Sequence, residues 1–263
     1  MDLCARFYQD MNEFIGKTAL VTGASRGIGA ATAIALARAG AARVVIQYNS
    51  FPEGAGVTVA GIEKAGAKGA SIQADLSSMN GVNAFLAALA KTAPEVDILV
   101  NNAGSLVGRC ALVDFSEDLY DRIMNLNAKS LWFITKAVAP YMIAKRAGAV
   151  INVSSIAART GGGPGAAMYA AAKAAVAAMT KGMAKELAPH GVVVNAISPG
   201  TVDNHFHEVF SSPEMLAGVV KTTPAGRLGT NEDMANSVVF LASAAANYIH
   251  GQTIEINGGG FMI

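Results

Sequence analysis

The stretch Lys17-Thr18-Ala19-Leu20-Val21-Thr22-Gly23-Ala24-Ser25-Arg26-Gly27-Ile28-Gly29 decides how the chain is read. Its first six residues form a short run dominated by apolar and β-branched side chains, the pattern of a buried strand. A glycine-rich turn follows. The segment 28–39 is then rich in alanine and stops at Gly40, where a helix commonly ends. Outward from this unit the same alternation repeats. Further strands are expected at 43–47, 68–74, 98–101, 150–154, 192–197 and 253–256. Helices are expected at 57–65, 81–92, 169–188 and 232–242, with two long ones within 116–144. Strands that are apolar throughout and alternate with helices imply a parallel sheet covered on both faces. The expected architecture is therefore α/β, a doubly wound sheet of seven mostly parallel strands. No Pro/Ser linker and no internal repeat divides it, so residues 16–263 read as one domain. Residues 1–15 read as an extension that either packs on the surface or is disordered. The segment 200–230 reads as a long irregular loop of the kind that forms a substrate lid.

Composition narrows the function. The 263 residues are 52% hydrophobic and 15% charged, with a formal net charge of +1. That is ample material for a large core, and with no basic run it argues against a nucleic-acid partner. The most apolar region, 166–180, is interrupted by Lys173, so no membrane span is expected. The N-terminus carries Asp2, Arg6, Asp10 and Glu13 and lacks an apolar signal core, which points to a cytoplasmic protein. Cys4 and Cys110 are too few for a disulfide framework and read as free thiols.

Thr22 to Gly29 carries the chemistry of the first turn. Glycines let the backbone turn tightly and approach a pyrophosphate, while the start of the helix adds free N–H groups and the positive end of its dipole. A strand before and a helix after supply the context that such a loop requires. Its spacing, T-G-x-x-x-G-x-G, resembles that of the short-chain dehydrogenase/reductase family. Asn101-Asn102-Ala103-Gly104 is similar to the family's N-N-A-G, Tyr169-Ala170-Ala171-Ala172-Lys173 to its Y-x-x-x-K, and Pro199-Gly200 to its P-G. Order and spacing agree from about 17 to 259, nearly the whole chain.

The resemblance implies a Rossmann-like fold and an oxidoreductase moving hydride between a nicotinamide and a small carbonyl/alcohol pair. It places the dinucleotide on Gly23, Ser25, Arg26, Gly27, Ile28 and Gly29, then on Tyr48, Asn49, Ser50, Asp75, Leu76, Asn102, Ala103, Gly104, Pro199, Gly200 and Val202, with Tyr169 and Lys173 at the nicotinamide end. Asp75 is equally readable as a plain helix cap. The second strand ends Gln47-Tyr48-Asn49-Ser50 without the acid that would bind an adenine ribose 2′-hydroxyl, and Arg26 offers a phosphate-matching fork. NADP(H) is thus preferred over NAD(H), which stays possible.

A ketone accepting hydride needs a proton for its oxygen, and a free tyrosine, with pKa near 10, needs help to supply it. Lys173 follows Tyr169 by four residues, which on a helix puts both side chains on one face. A nearby cation is expected to lower the phenol's pKa. By resemblance Lys173 also holds the nicotinamide ribose. Ser155, with Ser154 as its rival, would bond the carbonyl oxygen, and Asn127, with Asn125 as its rival, would complete a proton relay. The gap from Ser155 to Tyr169 is fourteen residues, one more than the commonest family pattern, and the extra residue is placed in the turn 161–165.

Asn204 stands where the family usually has a threonine contacting the carboxamide, and Thr201 is the other choice for that contact. His205 and His207 lack a third ligand nearby, so no metal is expected. Phe206, Phe210 and Met215 would line the lid and suit an apolar substrate body. The favoured reading is NADPH-dependent reduction of a ketone or 3-oxoacyl-type carbonyl. The alternatives are an NAD-dependent alcohol or sugar dehydrogenase and, in another class, a non-catalytic dinucleotide-binding regulator. The resemblance also implies a homotetramer or homodimer, with the apolar tail Phe261-Met262-Ile263 near a subunit contact.

Overall fold

The computed structural model describes residues 13–263. Seven strands form one sheet: β1 (Thr18–Val21), β2 (Arg43–Tyr48), β3 (Lys68–Gln73), β4 (Ile98–Asn101), β5 (Gly148–Val153), β6 (Val192–Pro199) and β7 (Thr253–Ile256). Their order is β3-β2-β1-β4-β5-β6-β7, and every pairing is parallel, where the sequence reading allowed an exception. Helices α1 (Gly27–Arg38), α2 (Pro52–Lys64), α3 (Met79–Thr92), α4 (Glu117–Met124), α5 (Ser130–Lys145), α6 (Ala157–Thr160), α7 (Ala167–Leu187), α8 (His205–Phe210), α9 (Pro213–Thr222) and α10 (Asn231–Ala242) make up the rest.

The central strands are apolar because both of their faces are covered. Alternate residues of one strand feed two different cores. Ala19, Val21, Val44 and Ile46 pack with Ala33 and Leu36 of α1 and Val238 and Val239 of α10. Leu20, Val45, Leu99 and Val150 face the other way, against Phe85 of α3, Ile134 of α5 and Val176 of α7. The chain reverses its winding between β1 and β4, and in such sheets the crevice at the carboxyl ends of those strands is where ligands bind. Buried amides brace those ends. Asn101 Nδ2 donates to Thr135 Oγ1 (3.0 Å) and Asn152 Oδ1 (2.9 Å), and Asn152 Nδ2 donates to Thr180 Oγ1 (2.9 Å).

Several expectations are corrected. The segment 200–230 is not irregular: it contains α8 and α9, each opened by a side-chain cap, Asn204 on Phe206 N and Ser212 on Met215 N. Short helices with polar starts and no buried face give little periodicity to read. Helix α2 begins five residues before the expected 57, because Pro52 starts it while Gly54 and Gly56 disguise it. The helical stretch after Ser116 is interrupted by a wide turn of π-helix, Asn125–Lys129, which periodicity does not reveal. Of the 1–15 extension, residues 1–12 and with them Cys4 lie outside the described residues. Phe14 is wholly buried in the core and its N–H donates to Ala39 O, so it belongs to the domain rather than to an appendage.

Candidate active site

A cavity of about 540 Å³ opens at the carboxyl ends of β1, β4, β5 and β6. One end is the glycine turn between β1 and α1. Neighbouring strands hold that turn. Gly23 N donates to Gln47 Oε1 (2.9 Å), Gln47 Nε2 donates to Ala74 O (2.8 Å), and Asn102 Nδ2 donates to Thr22 O and Gly23 O (2.9 and 3.0 Å). The Thr22 hydroxyl accepts from Asn102 N and Ala103 N, both at 3.0 Å. Close approach explains Gly29: a Cβ there would stand 2.5 Å from Gly23 O. The start of α1 carries neither a capping side chain nor an acid in its first turn. Its free N–H groups and positive dipole end face the cavity beside Gly23, Arg26, Gly27 and Ile28. That is the donor set a pyrophosphate needs, so these residues fit a dinucleotide. The Arg26 guanidinium stacks on Phe51, 4.1 Å from its ring centroid, which holds the charge at the mouth.

At the other end stand Tyr169 and Lys173, one turn apart on α7, both lining the cavity. The Ser155 side chain stands beside Tyr169 in the same lining and opposes the rise of its pKa. Ser155 Oγ accepts from Ala157 N (3.1 Å), so the start of α6 orients it. Ser154 is buried and donates to Lys173 O (2.8 Å), which makes it a brace for α7. Lys173 Nζ donates to Val153 O (2.8 Å) and lies 5.8 Å from the Tyr169 ring centroid. Asn127 sits in the π-helical turn: its Nδ2 donates to Ser105 O and Ile123 O, and its Oδ1 accepts from Ser105 N. Asn127 and Lys173 meet over Gly104, where an added Cβ would stand 2.7 Å from Asn127 Oδ1 and 2.8 Å from Lys173 Nζ.

The electrostatics correct one expectation. Burial pushes the Tyr169 phenol up to about 12, Ser155 only partly opposing it. Burial also drops Lys173 to about 8. Burial dominates, so the phenol holds its proton at neutral pH. In this form Tyr169 is poised to give a proton to an oxygen beside it.

Of the sequence-derived positions, Gly23, Arg26, Gly27, Ile28, Asn102, Ala103, Gly104, Ser155, Tyr169, Lys173, Pro199, Gly200 and Val202 share this cavity. Ser25, Tyr48, Asn49, Ser50, Asp75 and Leu76 do not line it, and Gly29 lies beneath the loop. Leu76 is buried core, and Asp75 accepts from Ser77 N while Ser78 caps α3. Asn204 spends its amide on Phe206 N and Asn231 Oδ1, so Thr201, also in the lining, is the freer of the two. Residue pattern missed Gln47, which reads as an ordinary strand residue, and Leu106, Arg109 and Thr160, which line the cavity from loops and a short helix. Among the described residues no group of three or more His, Cys, Asp or Glu could hold a metal ion, and no helix is long and apolar enough to cross a membrane.

Comparison with known proteins agrees with this geometry. A family model described as enoyl-(acyl carrier protein) reductase matches residues 23–260. The 3-oxoacyl-[acyl-carrier-protein] reductase FabG of Staphylococcus aureus is 38% identical over 246 residues, covering 94% of this chain and 98% of the relative. A structure assigned as an NAD(P)-dependent gluconate 5-dehydrogenase of Beutenbergia cavernae, with bound NADP, superposes with TM-score 0.87 at 35% identity, covering 95% and 98% of the two chains. The NADH-dependent reductase A1-R′, complexed with NAD, gives TM-score 0.84 at 35% identity over 96% and 100%. The chain belongs to the short-chain dehydrogenase/reductase family of NAD(P)-dependent oxidoreductases.

Proposed function

We propose that the protein reduces a ketone or 3-oxoacyl-type carbonyl to an alcohol with NADPH, Tyr169 supplying the proton. The observation that carries this reading is the grouping of Tyr169, Lys173 and Ser155 at one end of a cavity whose other end is the uncapped start of α1. The nicotinamide, when bound, supplies the hydride. Ser155 and Tyr169 hold the substrate oxygen, and Tyr169 gives its proton to that oxygen as negative charge develops there. Lys173 then offers a positive charge beside the phenolate and is the route by which it regains a proton. Asn127, beside Lys173 over Gly104, would complete the proton relay to that lysine. Pro199, Gly200 and Val202 wall the nicotinamide end, and Tyr48, Asn49, Ser50, Asp75 and Leu76 belong to the adenosine end beyond the cavity. The related 3-oxoacyl reductases support a thioester substrate.

Arg26, with no acid at the end of β2, supports NADPH as the donor. Titration with NADPH and NADH, followed by nicotinamide fluorescence, tests this. A Kd at least about tenfold lower for NADPH, near 1.4 kcal/mol, is expected, and Arg26→Ala should erase the difference. Equal or tighter NADH binding would overturn the cofactor assignment and favour the NAD-dependent alcohol or sugar dehydrogenase, a reading that the NAD-bound and gluconate-dehydrogenase neighbours keep open. A 2-enoyl thioester reduced faster than its 3-oxoacyl counterpart would overturn carbonyl reduction. The chain is proposed to work as a cytoplasmic homotetramer or homodimer. Its exposed Leu112, Val113, Met262 and Ile263 supply apolar surface for that, and sedimentation of a monomer would contradict it.

A further inference from the structure

The lid end of the cavity has a charge pattern that carbonyl reduction alone does not require. No Asp or Glu lines the cavity, while Arg109 and His207 do, as does His205, whose Nδ1 is paired with Glu208 Oε2 (3.0 Å). Arg109 makes no ion pair among the described residues. It is held all the same: Nη1 donates to Pro164 O (2.8 Å) and Nη2 to Phe210 O (3.2 Å). Those two bonds fix the guanidinium between the 161–165 turn and the lid and leave its other N–H donors free. His207 Nδ1 is engaged by Ser211 Oγ (2.9 Å), which orients the ring. Burial and the nearby Arg109 charge hold His207 below the usual histidine range, with Asp203 pulling the other way.

Between this pair and the phenol runs an aromatic wall. The Phe206 ring lies 5.9 Å from Tyr169, 5.1 Å from His207 and 5.1 Å from Phe210, centroid to centroid. We propose that the substrate carries an anionic group, received by Arg109 with His207 beside it, and that its carbon body lies along Phe206 so that the carbonyl reaches Tyr169. This rests on the carbonyl-reductase reading and adds the charge of the substrate to it. A fixed guanidinium with spare donors suits a planar carboxylate or a phosphate. Two sources meet that chemistry: the carboxylate of a short oxo acid, or a phosphate on the arm of a thioester carrier.

The test uses two matched pairs with the whole protein. One pair is 3-oxohexanoate and its methyl ester; the other is acetoacetyl-coenzyme A and acetoacetyl-N-acetylcysteamine. NADPH oxidation gives kcat and KM for each, and calorimetry on the protein with NADP⁺ gives Kd for the corresponding 3-hydroxy compounds. In at least one pair the anionic member is preferred tenfold or more, through KM and Kd rather than kcat, and that pair identifies the source. Arg109→Gln brings the ratio close to one, and Arg109→Lys keeps most of it. A strut without anion contact would lower both members of a pair together and leave the ratio as it was. Ratios below twofold in both pairs, or a ratio that survives Arg109→Gln, overturn the proposal. Tight anion-selective binding with no NADPH oxidation would support the anion site while sinking carbonyl reduction. Turnover without selectivity would do the reverse.

Discussion

Gly104 has no side chain, yet the site depends on what stands there. Alanine would place its Cβ 2.7 Å from Asn127 Oδ1 and 2.8 Å from Lys173 Nζ, about 0.6–0.7 Å inside the 3.4 Å of ordinary contact. Neither neighbour can yield freely. Asn127 is held by three hydrogen bonds, and Lys173, 3% exposed, is tied to Val153 O. A displacement approaching 1 Å at a reacting centre costs on the order of 10²-fold, so Gly104→Ala should lower kcat by roughly 10- to 100-fold. Overpacking should also destabilise the fold by about 1–3 kcal/mol. Gly182 is the matched control: it lies exposed within α7, and an added Cβ would meet nothing within 4 Å. Gly182→Ala should stabilise by about 0.5–1 kcal/mol, or a few degrees in Tm, with activity unchanged. The assay pairs thermal melts with NADPH oxidation well below both midpoints. Wild-type kcat in Gly104→Ala would refute the claim that Asn127 and Lys173 act from fixed positions.

Two further outcomes follow from the geometry. Thr230 caps α10 by accepting from Asp233 N, while the Asp233 carboxylate accepts from Thr230 N, so Thr230→Ala should cost about 1 kcal/mol and lower Tm by roughly 2–4 °C in a thermal melt. Lys173 falls to about 8 on folding, from 10.5 unfolded, so between those values the unfolded chain binds more protons and its contribution to stability rises with pH. Tyr169, raised to about 12 from 10, works the opposite way above pH 10. The stability difference between wild type and Lys173→Met should therefore shift in favour of wild type from pH 8 to 10, and a flat difference would contradict a buried lysine of lowered pKa.

Much of the fold was legible because strands such as 98–101, mostly apolar, and 253–256, alternating with β-branched residues, are short segments with sharp ends, matched residue for residue by β4 and β7. The motif residues were legible because chemistry restricts them: Tyr169 and Lys173 share a face by spacing alone. The rest depends on contacts that no local pattern records. The π-helical turn that aims Asn127, the burial that reverses the expected shift of Tyr169, and the Arg109 bonds to Pro164 and Phe210 all arise between distant segments. The choice between Ser154 and Ser155 is of the same kind. Both line the cavity, but the Ser154 hydroxyl is spent on Lys173 O of α7 while that of Ser155 accepts from Ala157 N, and neighbours in sequence cannot say which.

The most direct test of the proposed chemistry is Tyr169→Phe, which keeps the ring and removes only the hydroxyl. NADPH affinity is read by fluorescence and kcat by NADPH oxidation with a 3-oxoacyl thioester. With the general acid gone, kcat should fall by about 10²–10⁴-fold while the Kd for NADPH stays within about twofold. A variant that turns over at the wild-type rate would contradict Tyr169 as the proton donor.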